Sequence, residues 1–289
     1  MIELKENACA KINLTLDITG ILPDGYHALE TVMQTVSLRD RVTLRKTQFG
    51  ITLQCTDSTL PTGSDNLAYR AAERFFSEYK VSGGVRLHLE KNIPSQAGLG
   101  GGSADAAAVL RGLNRLYETN LSAEMLERTA ASLGADVPFC ICGGTTLCKG
   151  KGELLTPVGR MPECVMVIAK PSLGISTAEA YAAFDSSLND LRRPDNPKLI
   201  KYLNDGKATV RNVSNLLCNV FEQALPTAEI SELIRKLTGM GAVGACMSGS
   251  GSAVFSLYND EDKAREACDC IKKSGMFACI CHPVGRLRI

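Results

Sequence analysis

The stretch PSQAGLGGGSAD, at 94–105, places four glycines within five positions, directly before an alanine-rich run. Glycine loses more conformational freedom on folding than any other residue, so such spacing is unfavourable unless the backbone must turn tightly or be approached closely. Val85, Leu87 and Leu89 alternate as a strand before the glycines, and apolar residues at helical spacing follow from Ser103. The stretch is therefore predicted to lead from a strand into the N-terminus of a helix.

A glycine-rich loop at a helix N-terminus presents backbone N–H groups at the positive end of the helix dipole, an arrangement that binds phosphate. Two common phosphate-binding patterns do not fit. The pattern G-x-x-x-x-G-K-[ST] needs a lysine, and 92–148 contains none; the dinucleotide pattern G-x-G-x-x-G meets Ser103 where its third glycine belongs. A purely structural turn is the alternative, although four glycines exceed what a tight turn needs.

Composition excludes several classes of partner. A net charge of +1, scarce aromatics and no tryptophan disfavour nucleic-acid binding. No apolar run approaches the ~18 residues of a membrane span, and the charged N-terminus is no secretion signal. We expect a cytoplasmic protein, a monomer or weak homodimer, with its twelve cysteines reduced. A zinc site near the C-terminus is disfavoured because Cys268 and Cys270 would lie on opposite sides of a helix.

The order of predicted elements indicates an α+β fold in two domains. Strands dominate 10–55, helices follow at 66–79 and beyond 103, and VMVIAK (165–170) begins a second set. From there the order strand, helices, two strands, helix, strand is close to the ferredoxin-like arrangement. We predict an N-terminal β/α domain at 1–155 that carries the phosphate loop, and a C-terminal ferredoxin-like domain at 156–289. The polar segment 185–214 is predicted to be an exposed loop or short helices.

Three segments, in order, resemble the superfamily of galactokinase, homoserine kinase, mevalonate kinase and phosphomevalonate kinase, the GHMP kinases. PSQAGLGGGSADAA resembles its phosphate loop, GADVPF (134–139) its segment with the catalytic aspartate, and MSGSGSAVF (247–255) its C-terminal glycine motif. The opening AKINLTLDITGILPDGYHALETVMQTVSL (10–38) is similar to members whose acceptor is cytidine-diphosphate methylerythritol, of the non-mevalonate isoprenoid pathway. The resemblance implies a GHMP-kinase-like fold and phosphorylation of the 2-hydroxyl of that small molecule, with ATP and Mg²⁺.

The resemblance implies that the phosphate loop binds ATP, with Asn66 and Lys91 near the adenine. A helix N-cap and a solvated strand end are the simpler interpretations of these two residues. The Ser103 hydroxyl is expected near the phosphates or Mg²⁺, as the only metal contact from the protein. The predicted ATP-binding set is Pro94, Ser95, Gln96, Ala97, Gly98, Leu99, Gly100, Gly101, Gly102, Ser103, Ala104, Asn66 and Lys91.

Asp136 is the predicted general base, and Lys11 its predicted partner. Pro138 lies where the first turn of a helix tolerates proline, so Asp136 also suits a helix N-cap. A lysine within an apolar strand is unfavourable unless it is paired or faces a cleft, although Lys11 at a strand end in water is the alternative. If the two residues pair, the charge of Lys11 would orient Asp136 and stabilise the alkoxide that develops on the acceptor hydroxyl.

A cytidine-binding role is expected for GYH (25–27). Tyr26 suits stacking on cytosine, and His27 can both donate to and accept from its Watson–Crick edge. The resemblance places Tyr181 as a second aromatic and Thr177 near the substrate, and Asn13 shares the strand face of Lys11. Without the resemblance, the simpler interpretation is that Tyr26 and Tyr181 lie at the edge of the core and that His27 is a turn residue.

Other functions remain open at this point. The chain could instead be another GHMP kinase, acting on homoserine, mevalonate or a sugar. A nucleotide-binding relative without turnover is a further alternative, which the presence of Lys11 and Asp136 disfavours.

Overall fold

The computed structural model describes residues 2–187 and 191–289, and within these ranges the strands form two sheets. The larger sheet contains β1 (Glu3–Ile21), β2 (His27–Thr47), β3 (Gly50–Cys55), β4 (Gly84–Glu90), β5 (Thr145–Gly150), β6 (Leu154–Pro157) and β8 (Cys218–Asn219). These strands lie in the order β3-β4-β2-β1-β8, with β5 paired to β2 and β6 paired to β5.

The long β1–β2 hairpin is the centre of this sheet, and β1 carries both apolar and polar buried residues. Ile12 and Leu14 alternate, as predicted, and pack in the main hydrophobic core. Their polar neighbours Lys11 and Asn13 are also buried. A register shift between Cys9 and Lys11 interrupts the regular pairing with β2. Such irregularities change the direction of a side chain, and this one falls at the lysine that the sequence singled out.

The helices α1 (Leu67–Tyr79), α2 (Gly101–Leu116), α3 (Ala123–Ala131) and α4 (Val137–Cys142) pack around this sheet. Asn66 and Ser122 cap α1 and α3, because each side chain accepts a hydrogen bond from a first-turn backbone N–H. The central helix α2 contacts β1, β2, α1, α3 and α4 and is buried over most of its surface. Its N-terminus, where the glycine loop ends, is therefore held in a fixed position.

The smaller sheet contains β7 (Val165–Lys170), β9 (Gly244–Met247), β10 (Val254–Tyr258) and β11 (Phe277–Cys281), in the order β11-β7-β10-β9. Its strand pairs are antiparallel, and α9 (Ala228–Gly239) and α10 (Glu261–Lys273) pack against it. This is the strand order of a ferredoxin-like sheet. The predicted α+β fold with a ferredoxin-like sheet in its C-terminal half is confirmed.

Four shorter helices connect the two sheets: α5 (Thr177–Ser186), α6 (Asn196–Asn204), α7 (Val210–Ser214) and α8 (Val220–Ala224). The predicted polar segment 185–214 thus contains two short helices, while its positions 188–190 lie outside the described residues. The predicted boundary at 155/156 falls within β6, and β8 pairs in parallel with β1 across that boundary. The division into 1–155 and 156–289 remains a prediction.

The twelve cysteines, all within the described ranges, are free thiols, and most are buried. Burial raises the pKa of Cys140 and of Cys164 to about 12. Over the same ranges, no group of three or more potential metal-binding side chains is found. None of the helices there is long and apolar enough to cross a membrane.

Candidate active site

The glycine loop ends at Gly100, which is the N-cap of α2 and has a left-handed backbone (φ 69°). Gly98 is also left-handed (φ 71°), and a Cβ at this position would lie 2.0 Å from the backbone oxygen of Ser248. No side chain caps α2. Glycine is therefore required at Gly98 both by conformation and by close backbone approach, and the first N–H groups of α2 remain free for a ligand.

The C-terminal glycine motif packs directly on this loop. The Ser248 hydroxyl donates to the Gly98 carbonyl (2.9 Å) and accepts from the backbone N–H of Asn13 (3.3 Å). The N–H of Ala253 donates to the Ala97 carbonyl (3.2 Å). The sequence identified both glycine segments, and the structure shows that Ser248 connects them to each other and to β1.

A cavity of about 410 Å³ lies along the outer side of the glycine loop. Asn66, Lys91 and the loop from Pro94 to Ser103 line it, so it contains the predicted ATP-binding set with one exception. The exception is Ala104, which is buried in the hydrophobic core. We call this space the donor cavity.

Asn66 has the N-cap role that its sequence also allowed, and it faces the donor cavity as well. Its Oδ1 accepts from the N–H of Ala68 (2.9 Å), and its Nδ2 donates to the carbonyl of Pro61 (2.8 Å). Both polar atoms are thus used to fix the segment in front of α1. An interaction of Asn66 with adenine remains a prediction.

Lys91 is not the solvated strand end that was the alternative interpretation. Its side chain is only 8% exposed and forms ion pairs with Asp40 and Asp105, the latter at 2.5 Å. Burial alone would lower the pKa of Lys91, but the two carboxylates raise it. Burial also raises the pKa of Asp105 to about 7, against the effect of the lysine. The lysine therefore remains charged and held between two acids.

The other oxygen of Asp40 holds the segment that enters the glycine loop. Its Oδ1 accepts from the backbone N–H groups of Asn92 (2.5 Å) and Ile93 (2.8 Å). Sequence reasoning missed Asp40 and Asp105. Asp105 is the fifth residue of α2 and is buried, with its Oδ1 unpaired among the described residues.

A second cavity, of about 600 Å³, lies on the other side of the glycine loop. Its lining includes the predicted catalytic pair, Lys11 and Asp136. It also includes two residues of the predicted substrate site, Asn13 and Thr177. We call it the acceptor cavity. Residues that line both cavities are Gln96, Gly98 and Gly100. The two cavities therefore meet at the glycine loop.

Lys11 and Asp136 form an ion pair in the acceptor cavity, with 3.3 Å between Nζ and Oδ2. Lys11 is 5% exposed and Asp136 31% exposed, so the carboxylate is the member of the pair that solvent or a substrate can reach. Asp136 occupies the N-cap position of α4, but its side chain makes no capping hydrogen bond. Its carboxylate is therefore available for a ligand in the acceptor cavity.

Asn13 lines the acceptor cavity and also fixes the lysine. Its Oδ1 accepts from Lys11 Nζ (2.8 Å), and its Nδ2 donates to Thr31 Oγ1 (2.8 Å). Thr177, at the start of α5, has its Oγ1 3.2 Å from the hydroxyl of Ser250 in the C-terminal glycine motif. Asn13 and Thr177 thus flank the ion pair through different elements.

His27 and Tyr181 lie in contact, with 4.7 Å between ring centroids and 30° between planes. Asp185 Oδ1 is 2.7 Å from His27 Nε2, and Tyr181 packs edge-on against Phe221, which lines the acceptor cavity. Tyr26 is exposed, and Lys151 Nζ lies 3.8 Å from its ring centroid. The structure brings His27 to Tyr181, whereas Tyr26 lies at the surface beside a lysine. Asp185 and Phe221 were not predicted, because no pattern in the sequence marks them.

Comparison with known proteins gives a consistent result. The family model "GHMP kinases N terminal domain" matches residues 66–144, and "GHMP kinases C terminal" matches residues 190–275. A 4-diphosphocytidyl-2-C-methyl-D-erythritol kinase of Clostridium acetobutylicum is 40% identical over 261 residues, which cover 90% of this chain and 92% of that protein. Its counterpart in Clostridium beijerinckii is 42% identical over 272 residues, 93% of this chain and 96% of that protein.

Solved structures extend the comparison to the fold. A crystal structure of 4-(cytidine 5'-diphospho)-2C-methyl-D-erythritol kinase has a TM-score of 0.81 and 34% identity, covering 98% of this chain and 100% of that chain. A homoserine kinase from Cytophaga hutchinsonii has a TM-score of 0.76 and 18% identity, covering 98% and 95%. The second similarity shows a shared fold only.

Proposed function

Because the chain belongs to the GHMP kinases, we propose that it transfers the γ-phosphoryl group of ATP to the 2-hydroxyl of 4-diphosphocytidyl-2-C-methyl-D-erythritol. The two Clostridium relatives, which are named as that kinase, align with 90% and 93% of this chain. The observation that carries the proposal is the meeting of the donor and acceptor cavities at the glycine loop, with the Lys11–Asp136 pair on the acceptor side.

The donor cavity suits a triphosphate. Free N–H groups at the start of α2 and the left-handed glycines would bind phosphate oxygens, since no Cβ blocks their approach. Mg²⁺ prefers oxygen ligands and keeps several waters, so a site with few protein ligands beside the phosphates fits it. The hydroxyl of Ser103 lines the cavity and would be its protein ligand. When bound, Mg²⁺ neutralises charge on the phosphates.

In the acceptor cavity, Asp136 would accept the proton of the attacking hydroxyl. The carboxylate is partly exposed and makes no capping bond, so an oxygen remains available for that proton. Lys11, fixed by Asn13, would hold the carboxylate in place and stabilise negative charge on the attacking oxygen. Phosphoryl transfer requires mainly such positioning, because the loose transition state demands little covalent chemistry of the protein.

The cytidine end of the acceptor would lie against the group formed by His27 and Tyr181. This group adjoins the acceptor cavity through Phe221. Aromatic faces suit stacking on a base, and Nδ1 of His27 would be available to its edge, because Nε2 contacts Asp185. Tyr26, at the surface, would contact the base from the opposite side after a movement of its side chain.

ADP release with a panel of acceptors tests the proposal. The cytidyl substrate, mevalonate, homoserine and galactose are compared at equal concentration, with an Asp136→Asn variant as the background control. We expect turnover with the cytidyl substrate and a large preference for it. Equal or better turnover with another acceptor would refute the substrate, and the absence of ADP release with every acceptor would refute the kinase.

A further inference from the structure

Arg111, in the third turn of α2, has a fully buried guanidinium group that lines neither cavity. Its Nη1 donates to the carbonyls of Cys140 (2.6 Å) and Ile141 (3.2 Å), near the end of α4. Its Nη2 donates to the carbonyl of Asn7 on β1 (2.9 Å). One side chain on α2 therefore binds the backbone of two other elements.

These three elements carry the groups that phosphoryl transfer needs. The helix α2 begins at the glycine loop, α4 begins directly after Asp136, and β1 carries Lys11 four residues beyond the Asn7 carbonyl. On the side of the site, the N–H of Lys11 donates to the Leu99 carbonyl of the loop (3.0 Å). Arg111 thus connects α2, α4 and β1 at a second place, away from the glycine loop.

The position of α4 depends on such contacts. A helix of six residues is too short to be stable alone, and its last carbonyls lack partners within the helix. A cation at that end also interacts favourably with the helix dipole. Arg111 supplies both hydrogen-bond donors for these carbonyls and a positive charge at this end of α4. Its planar guanidinium is pre-organised to bind several acceptors at once.

The charge of Arg111 is balanced within the same cluster. Glu6, also buried, has Oε2 3.6 Å from the Nε of Arg111 and Oε1 2.9 Å from Nη1 of Arg115. A buried cation is unfavourable unless it is paired and its donors are satisfied. Here the guanidinium has a carboxylate on one side and three carbonyl acceptors on the other.

We propose that Arg111 is a positioning residue for phosphoryl transfer, which fixes Asp136 relative to Lys11 and the glycine loop. The proposal rests on the proposed kinase function. Effective catalysis requires reacting groups to be placed to within about 1 Å, and a misplacement of that size can lower the rate ~10²-fold. Loss of Arg111 should therefore affect turnover more than binding.

The kinetic test compares Arg111→Met, Arg111→Lys and a control, Leu237→Ala, which opens a cavity in the separate core around α9. At a temperature where all are folded, Arg111→Met should lower kcat about 10- to 100-fold, with both KM values within about threefold. Arg111→Lys keeps the charge and should recover part of kcat. The control should melt earlier yet keep its kcat.

A second background separates positioning from a general loss of structure. In an Asp136→Asn background, Arg111→Met should lower kcat by less than about threefold, because the residue through which it acts has already been removed. The proposal would be overturned if Arg111→Met lowered kcat by the same factor in both backgrounds. It would also be overturned if Arg111→Met in the wild type raised KM without lowering kcat.

Hydrogen exchange gives a readout that does not depend on the substrate. Amides of 136–144 should exchange faster in Arg111→Met, and in Arg111→Lys to a smaller extent, whereas amides of 261–273 should not change. Unchanged exchange at 136–144 would refute the positioning role even if the kinase works, while faster exchange in a chain without kinase activity would refute only the proposed function.

Discussion

Replacing Asp136 with asparagine removes a negative charge 3.3 Å from the Lys11 ammonium. At an effective dielectric constant of about 20, two unit charges at this distance attract by about 5 kcal/mol. The side chain of Asp136 is 31% exposed, so hydration offsets much of that attraction. We expect Asp136→Asn to lower the free energy of unfolding by about 1.5–3 kcal/mol, the usual contribution of a hydrogen bond to a charged group.

Replacing Asp136 and replacing Lys11 should lower the free energy of unfolding by different amounts. After Asp136→Asn, the Lys11 ammonium remains buried at 5% exposure, with Asn13 Oδ1 as an acceptor and no carboxylate. After Lys11→Met, the Asp136 carboxylate can still be hydrated, and the penalty for burying the ammonium disappears. Asp136→Asn should therefore be the more destabilising change, with a fall in Tm of roughly 2–4 °C per kcal/mol.

Activity should respond differently from stability. Asp136→Asn should lower kcat about 10²- to 10⁴-fold, the usual contribution of a general base, with little change in either Kd. Lys11→Met should cause a comparable loss, and the double variant less than the product of the two, because the residues act as a unit. ADP release gives kcat, calorimetry gives Kd and thermal unfolding gives Tm.

Two outcomes would contradict this reasoning. Turnover of Asp136→Asn near that of the wild type would remove the carboxylate from the reaction. A larger loss of stability in Lys11→Met than in Asp136→Asn would mean that the burial of the two groups does not determine their contributions.

Three further predictions follow from the geometry. Gly98→Ala places a methyl group 2.0 Å from a backbone oxygen of the C-terminal glycine motif and should weaken ATP binding at least ~10-fold by calorimetry. As a control, Gly239→Ala in α9, which lines neither cavity and has no atom within 4 Å of the added methyl group, should bind ATP normally. Burial raises the pKa of Asp105 from 3.8 to about 7, so the folded state binds the proton more tightly than the unfolded state does. The free energy of unfolding, and with it Tm, should therefore fall as the pH rises from 4 to 7, and Asp105→Asn should make this fall smaller. The wild type should prefer the cytidine substrate to its uridine analogue at least ~10-fold in kcat/KM, and both Asp185→Asn and His27→Ala should reduce that preference.

Much of the fold and the centre of the site could be predicted from local patterns. Four glycines before an alanine-rich run required a loop at a helix N-terminus, and alternation in 10–55 required strands. Lys11 was conspicuous because a cation within an apolar strand needs a partner. The structure supplies that partner in Asp136, 125 positions later in the chain and within the segment that the family resemblance identified.

What the sequence could not predict depends on contacts between distant segments. A solvated strand end is one of two interpretations that the sequence allows for Lys91, and only the approach of Asp40 and Asp105 makes it a buried cation. The sequence contains no signal that separates Arg111 from a surface arginine on an amphipathic helix. Because α2 is buried on nearly every side, helical periodicity did not distinguish Arg111 from the exposed Arg115.

The expected preference for cytosine over uracil is one property that we infer from such a contact. The carboxylate of Asp185 only accepts hydrogen bonds, so the proton of a neutral His27 ring belongs on Nε2, 2.7 Å away. Nδ1 is then an acceptor, which would pair with the N4 amino group of a bound cytosine and repel the O4 of uracil. Asp185→Asn can donate as well as accept, so either tautomer is allowed and the preference should shrink, with a change in the ¹⁵N shifts of the ring. A preference that survives Asp185→Asn, with the tautomer visibly altered, would mean that backbone groups and not the His27 ring distinguish the bases.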